Sequence, residues 1–233
     1  NRDPINANAL KHSRLTNSVM LFIARDLILK PSEIAGGVGE HSFGLYGTFI
    51  RKYSKIYKIF CYSANNGTLF TFNTNGDVTD LAKVPMPLAI VKVLADARKS
   101  SGSIPLFTTI IAYHYVATDK PASFLISFLL LHVLRIMGLA NVMVDIIDPP
   151  VEVQDIFESP PLKKVLLGTL LDIVTLKKGT LMWFCSNSYQ KYLTKKYRIP
   201  YQRTHVIYDG SFPDLITPKP PKGEGPLTVF YSG

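Results

Sequence analysis

The chain has 233 residues, of which 47% are hydrophobic, ample for one large domain with its own core and small for two. A formal net charge of +9 favours an anionic partner: nucleic acid, an anionic membrane surface or a phosphorylated substrate. No apolar run reaches the roughly 18 residues of a membrane span, and the polar first residues, with Arg25 and Asp26 breaking the run from Val19 to Leu29, do not read as a secretory signal.

Residues 1–17 show no periodicity and read as a tail. Val19-Met20-Leu21-Phe22-Ile23 is the centre of a first strand over 18–24, and a loop leads from it into Gly36-Gly37-Val38-Gly39. Ser42 to Tyr53 then reads as a helix with Phe43, Tyr46, Phe49 and Ile50 on one face. A second strand over 56–63 and a turn at Asn65-Asn66-Gly67 precede a small hairpin, 68–72 and 77–80, around Asn75-Gly76. Next come a helix over 88–100, a strand over 107–114, an apolar helix over 121–137 and a strand over 141–148 ended by Pro149-Pro150. The helix over 161–176 has Pro160-Pro161 at its start and Lys177, Lys178 and Gly179 at its end, choices that suit helix caps and the dipole. A strand over 180–186, a helix over 188–197 and a short strand over 205–208 follow. Residues 217–226 have the Pro/Gly-rich composition of a linker, and residues 227–233 read as the opening strand of a second α/β domain.

Near-continuously apolar strands alternate with helices, which predicts a Rossmann-like, doubly wound and mostly parallel α/β sheet with helices on both faces, over 18–216. Ligands of such sheets bind beyond the carboxyl ends of the strands. Position alone therefore selects Arg25, Asp26, Ser63, His114, Asp148, Ser186 and Asp209. A histidine or carboxylate at that edge can hydrogen-bond sugar hydroxyls or move protons, which makes His114 and Asp148 the candidate catalytic pair. Gly36, Gly37 and Gly39 precede a helix start, where free backbone N–H groups receive anions and glycine permits close approach; His41 follows them into the same crevice. A dinucleotide fingerprint would place its glycines directly after the strand, and Ser42 stands where its third glycine belongs. The histidines and cysteines show no metal-ligand spacing, and none is expected to hold a metal. Cys61 and Cys185 lie far apart in apolar runs and read as reduced thiols of a cytoplasmic protein. His132, on an apolar helix, reads as a core or interface histidine. The lysines at 163–164, 177–178 and 191–196 lie beside apolar helix faces, as either solvated surface or a membrane-facing patch.

In its order of elements the chain resembles the N-terminal domain of the GT-B glycosyltransferases, most closely family 4. Val19 to Ser63 follows that family's strand, paired-glycine loop, helix and second strand, with Gly36-Gly37 on the paired glycines. Val142-Met143-Val144-Asp145-Ile146-Ile147-Asp148 matches a strand that in the family ends in His-Asp; here Ile147 replaces the histidine. Trp183-Phe184-Cys185-Ser186, the helix after it and His205-Val206-Ile207-Tyr208-Asp209-Gly210 match the late strand, helix and Val-Ile-Pro-Asn-Gly segment, with Tyr208 and Asp209 replacing Pro and Asn. Val229 to Gly233 resembles the first strand and glycine turn of the nucleotide-binding domain.

The resemblance implies a retaining hexosyltransferase that moves a sugar from a nucleotide-sugar donor, a UDP- or GDP-sugar, to an acceptor, with lipid-linked or polysaccharide-precursor acceptors among the candidates. It implies that this half binds mainly the acceptor and that Gly36, Gly37 and Gly39 face the donor diphosphate or sugar. Arg25, His41, Ser186, Asp209 and Gly210 would line the acceptor cleft. It further implies a C-terminal nucleotide-sugar-binding partner domain, without which these residues do not transfer sugar, since cleft catalysis needs both walls. A cytoplasmic location, peripheral on the inner face of the membrane, fits the resemblance and the charge. Two other readings compete: a non-catalytic Rossmann-like module that binds a sugar or phosphate, and a nucleotide-dependent oxidoreductase or nucleic-acid binder. Against nucleic acid, the basic residues are dispersed and no recognised binding motif accompanies them.

Overall fold

The computed structural model describes residues 19–30, 42–101, 107–112, 120–146, 162–178 and 181–207. The expected tail 1–17, the linker 217–226 and the strand 227–233 lie outside them. Among the described residues, strands and helices alternate almost throughout: β1 (Val19–Ala24), a π-helical turn Ser42–Gly47 running into α1 (Thr48–Tyr53), β2 (Lys58–Ser63), β3 (Thr68–Phe72), β4 (Val78–Lys83), α2 (Met86–Ser101), β5 (Phe107–Ala112), α3 (Pro121–Ile136), β6 (Ala140–Ile146), α4 (Leu162–Lys178), β7 (Leu181–Phe184), α5 (Asn187–Tyr197), a 3-10 turn Tyr201–Arg203 and β8 (Thr204–Val206).

The strands form one eight-stranded sheet in the order β4-β3-β2-β1-β5-β6-β7-β8. β1 is parallel to both β2 and β5, and β5 to β8 continue in parallel. The hairpin β3–β4 adds two antiparallel strands beyond β2. β4 is largely exposed and carries Asp80 and Lys83 on this sheet edge, where charge discourages pairing with another chain. The order reverses direction at β1, which makes the carboxyl ends of β1 and β5 the topological switch point, where ligands of such sheets bind. This is the doubly wound α/β architecture expected from the alternation of elements.

Strand side chains alternate between faces, and the two sets pack into two cores. On one face Leu21, Ile23, Phe60, Val142, Val144 and Phe184 meet the inner sides of α2, α3, α4 and α5. On the other, Phe22, Ile59, Cys61 and Ile110 meet Tyr46 and Ile50 from the single helical segment that follows the glycine-bearing stretch. Parallel strands covered on both sides explain the apolar runs in the sequence.

Two elements differ from expectation in form. The helix at Ser42 opens as a π-helical turn, in which Gly47 approaches so closely that a Cβ there would sit 3.0 Å from the Ile28 carbonyl oxygen. Before β8, the unanticipated 3-10 turn is held by Arg203 N–H donating to the Pro200 carbonyl. Two strands are shorter than predicted: β2 begins at Lys58 and β7 ends at Phe184. The expected ends of the strands 107–114 and 141–148 lie outside the described residues.

Candidate functional site: the switch-point edge

The carboxyl ends of β1 and β2 are tied into one rim. The Ala64 N–H donates to the Ala24 carbonyl at 2.8 Å and the Asn65 N–H to the Arg25 carbonyl at 3.0 Å. The Ser63 hydroxyl also donates to the Arg25 carbonyl, at 3.1 Å. Asn65 donates from Nδ2 to Asp26 Oδ1 at 3.1 Å, which orients that carboxylate. Arg25 and Asp26 form an ion pair at 3.8 Å, with both side chains about two-fifths exposed; a pair so exposed contributes little to stability. Lys120, at the start of α3, reaches the Asn65 carbonyl at 3.4 Å and brings a second cation to the rim. The Ser42 hydroxyl donates to the Asp26 carbonyl at 2.9 Å. That bond holds Ser42, the first described residue after 31–41, at the rim.

Beneath the rim lies a buried polar contact. The Tyr46 hydroxyl donates to Asp145 Oδ2 at 2.5 Å, across 99 positions of sequence. Both residues are almost wholly buried. Burial, and then the neighbouring Asp145 charge, push the Tyr46 phenol well above its ordinary range, so it stays protonated and acts as a donor. Its ring also packs on Phe22 of β1, with centroids 5.3 Å apart. Tyr46 thus touches β1 and β6 at once and stretches the helical entry across the switch point. π-helical turns gather at functional positions, and this one packs against the sheet beside the switch point.

Of the residues selected by position, the structure gathers Arg25, Asp26 and Ser63. Ser186 sits at the carboxyl edge too, beyond β7, where its hydroxyl caps α5 by accepting the Tyr189 N–H at 3.2 Å. Three strand spacings separate β7 from β1, roughly 14 Å, so Ser186 stands apart from the Arg25 rim. Gly36, Gly37, Gly39, His41, His114, Asp148, Asp209 and Gly210 lie outside the described residues. Among the described residues no group of three His, Cys, Asp or Glu is arranged to hold a metal ion. Sequence reasoning passed over Tyr46, Asn65, Lys120 and Asp145 as site residues. Asp145 carried a readable signal: a carboxylate inside Val142–Ile147 has to be buried and must find a donor.

The sheet order and the rim define the class: a doubly wound α/β protein with polar and charged residues at its switch point. No protein-family model, curated protein or solved structure matches the chain.

Proposed function

We propose that this chain is the acceptor-side half of a retaining glycosyltransferase that uses a nucleotide-sugar donor. The observation that carries the reading is the hydrogen bond from the Ser42 hydroxyl to the Asp26 carbonyl, which joins described residues on either side of the glycine-bearing stretch near the switch point. Backbone N–H groups of Gly36, Gly37 and Gly39 would offer the donor diphosphate a site without side-chain obstruction. As the bond from the anomeric carbon to the diphosphate breaks, those donors would stabilise the charge on the departing group. Arg25 and Lys120 add positive charge at the rim. His114 and Asp148, which lie outside the described residues, follow β5 and β6 in sequence and in this reading would stand at the same edge. Their roles in this reading are to hold acceptor or donor hydroxyls and to take the proton of the attacking hydroxyl. In this reading His41, Asp209 and Gly210, outside the described residues, would line the acceptor side, with Ser186 at its far end, three strands from β1.

The test uses the full-length product of the coding sequence and a panel of UDP- and GDP-sugars. Gly37→Val places a β-branched side chain where the donor must approach. We expect at least a tenfold loss of turnover with the thermal midpoint unchanged. If stability collapses while the remaining folded enzyme keeps normal activity, the loop is structural. If no member of the panel is bound or turned over, the glycosyltransferase reading fails.

A further inference from the structure

We infer that the outer layer formed by α2, α3 and α4 is a docking surface for an anionic lipid bilayer. The first observation is an apolar stripe on the wrong side of α3. Ile126, Leu129, Val133, Ile136 and Met137 are all exposed, Ile136 to 72%. At 100° per residue they fall within an arc of about 100°, opposite the buried Phe124, Phe128 and Leu131 that face the sheet. A helix with apolar residues on both sides has a second apolar partner. The neighbouring α4, in contact with α3, repeats the pattern. Its Leu166, Leu170 and Ile173 are exposed, opposite the buried Leu171 and Thr175. Between α2 and α3 runs a groove of about 600 Å³, apolar along Val91, Leu94, Leu134 and Leu139 and flanked by Arg98 and Lys99.

Charge commits the surface to one occupant. Helices α2 to α4 contain eight lysines and arginines against two aspartates, Asp96 and the buried Asp172. Basic residues gather in the last turns of α2, α3 and α4, where Arg98, Lys99, Arg135, Lys177 and Lys178 meet the negative ends of the helix dipoles. An apolar ridge bordered by cations, with almost no anions, is complementary to a bilayer: side chains enter the acyl boundary while ammonium and guanidinium groups meet lipid phosphates. A protein partner with an apolar patch would match the ridge alone. Among the described residues no helix is long and apolar enough to cross a membrane, so the contact is one of a face lying on the bilayer. Because this layer covers one face of the sheet, the switch-point edge lies to the side of the contact. The inference stands apart from the glycosyltransferase reading and survives its failure.

Co-sedimentation of the full chain with phosphatidylglycerol-rich and with pure phosphatidylcholine vesicles tests it. We expect binding to the anionic vesicles, at least tenfold weaker binding to the neutral ones, and loss at high salt. The double variant Leu129→Glu, Val133→Glu changes exposed side chains and should lose at least tenfold in binding with an unchanged thermal midpoint. Leu81→Glu, at an exposed position of edge strand β4, should bind normally. If the double variant fails to fold, Arg98→Glu with Lys99→Glu decides the matter through the anionic preference. Equal binding to both vesicle types, binding to neither, equal loss in the Leu81 variant, or a stable dimer that the double variant dissolves would each overturn the inference.

Discussion

The Tyr46 hydroxyl is the most consequential polar atom in the described interior. It satisfies a buried carboxylate and joins the helical entry after the glycine stretch to β6. Hydrogen bonds to charged groups contribute about 1.5–3 kcal/mol, against about 0.5–1.5 for neutral pairs. Tyr62 is the internal comparison: its hydroxyl donates to the neutral Val84 carbonyl at 3.0 Å. Tyr46→Phe should therefore cost about 2 kcal/mol and Tyr62→Phe about 1 kcal/mol, read from urea denaturation midpoints at constant m. Equal losses would mean that Asp145 draws little from the phenol. In sequence, Tyr46 is one of four residues on a helix face and nothing distinguishes it. Its partner lies 99 positions away, and only the packing of that helix across β1 toward β6 brings the two together.

At the scale of elements, the hairpin β3–β4 is held by its turn and by what the turn touches. Asn73 Oδ1 accepts the N–H groups of Asn75 and Asp77, closing the loop. Gly76 has φ of +86°, and a Cβ there would lie 3.2 Å from the Arg51 Cα of α1. Gly67, in the other turn, has φ of +62° but ordinary clearance, with its nearest atom at 3.8 Å. Both positions penalise a side chain through the backbone. Gly76 adds a steric clash with a neighbouring helix, so the hairpin and α1 must separate to admit a methyl group. Gly76→Ala should destabilise by clearly more than Gly67→Ala, which costs about 1 kcal/mol. Thermal melts of the two variants compare them directly. The Asn75-Gly76 pair was legible as a turn from composition. Its role as the contact between the hairpin and α1 was not, because steric clearance belongs to the assembled pair.

At the scale of the whole molecule, the helix layer gathers positive charge at one end. Arg135 donates from Nε to His132 Nδ1 at 3.4 Å, which requires that nitrogen to be unprotonated. Partial burial, and then the Arg135 and Lys178 charges, hold the His132 imidazole below its ordinary range. Arg203 is lowered as well, by burial and by Arg135. The sign for stability follows from His132: the unfolded chain takes up a proton at a pH where the folded chain does not. Its contribution is therefore complete above the unfolded value of about 6.5 and falls as pH drops below it. His132→Asn should flatten that part of the acid limb, measured as the difference in urea midpoint between neutral and mildly acidic buffer. A variant that keeps the wild-type slope would place the acid sensitivity elsewhere.

The alternation of apolar runs with amphipathic segments determined the class of fold, because a strand buried on both faces must be apolar throughout and the helices covering it must be amphipathic. The same alternation placed Arg25, Asp26 and Ser63 at strand ends, where the rim is found. Tertiary structure decided which ends meet. Strand order puts β1 between β2 and β5, and so assembles Arg25, Asp26, Asn65 and Lys120 while setting Ser186 three strands away. Tertiary structure also decided the fate of the apolar helix 121–137, whose sequence was compatible with simple burial. Only one side of α3 can face the sheet, and the other, from Ile126 to Met137, is left to the solvent. Periodicity reports that a residue is apolar; which side of a helix is covered depends on neighbours that local sequence does not encode.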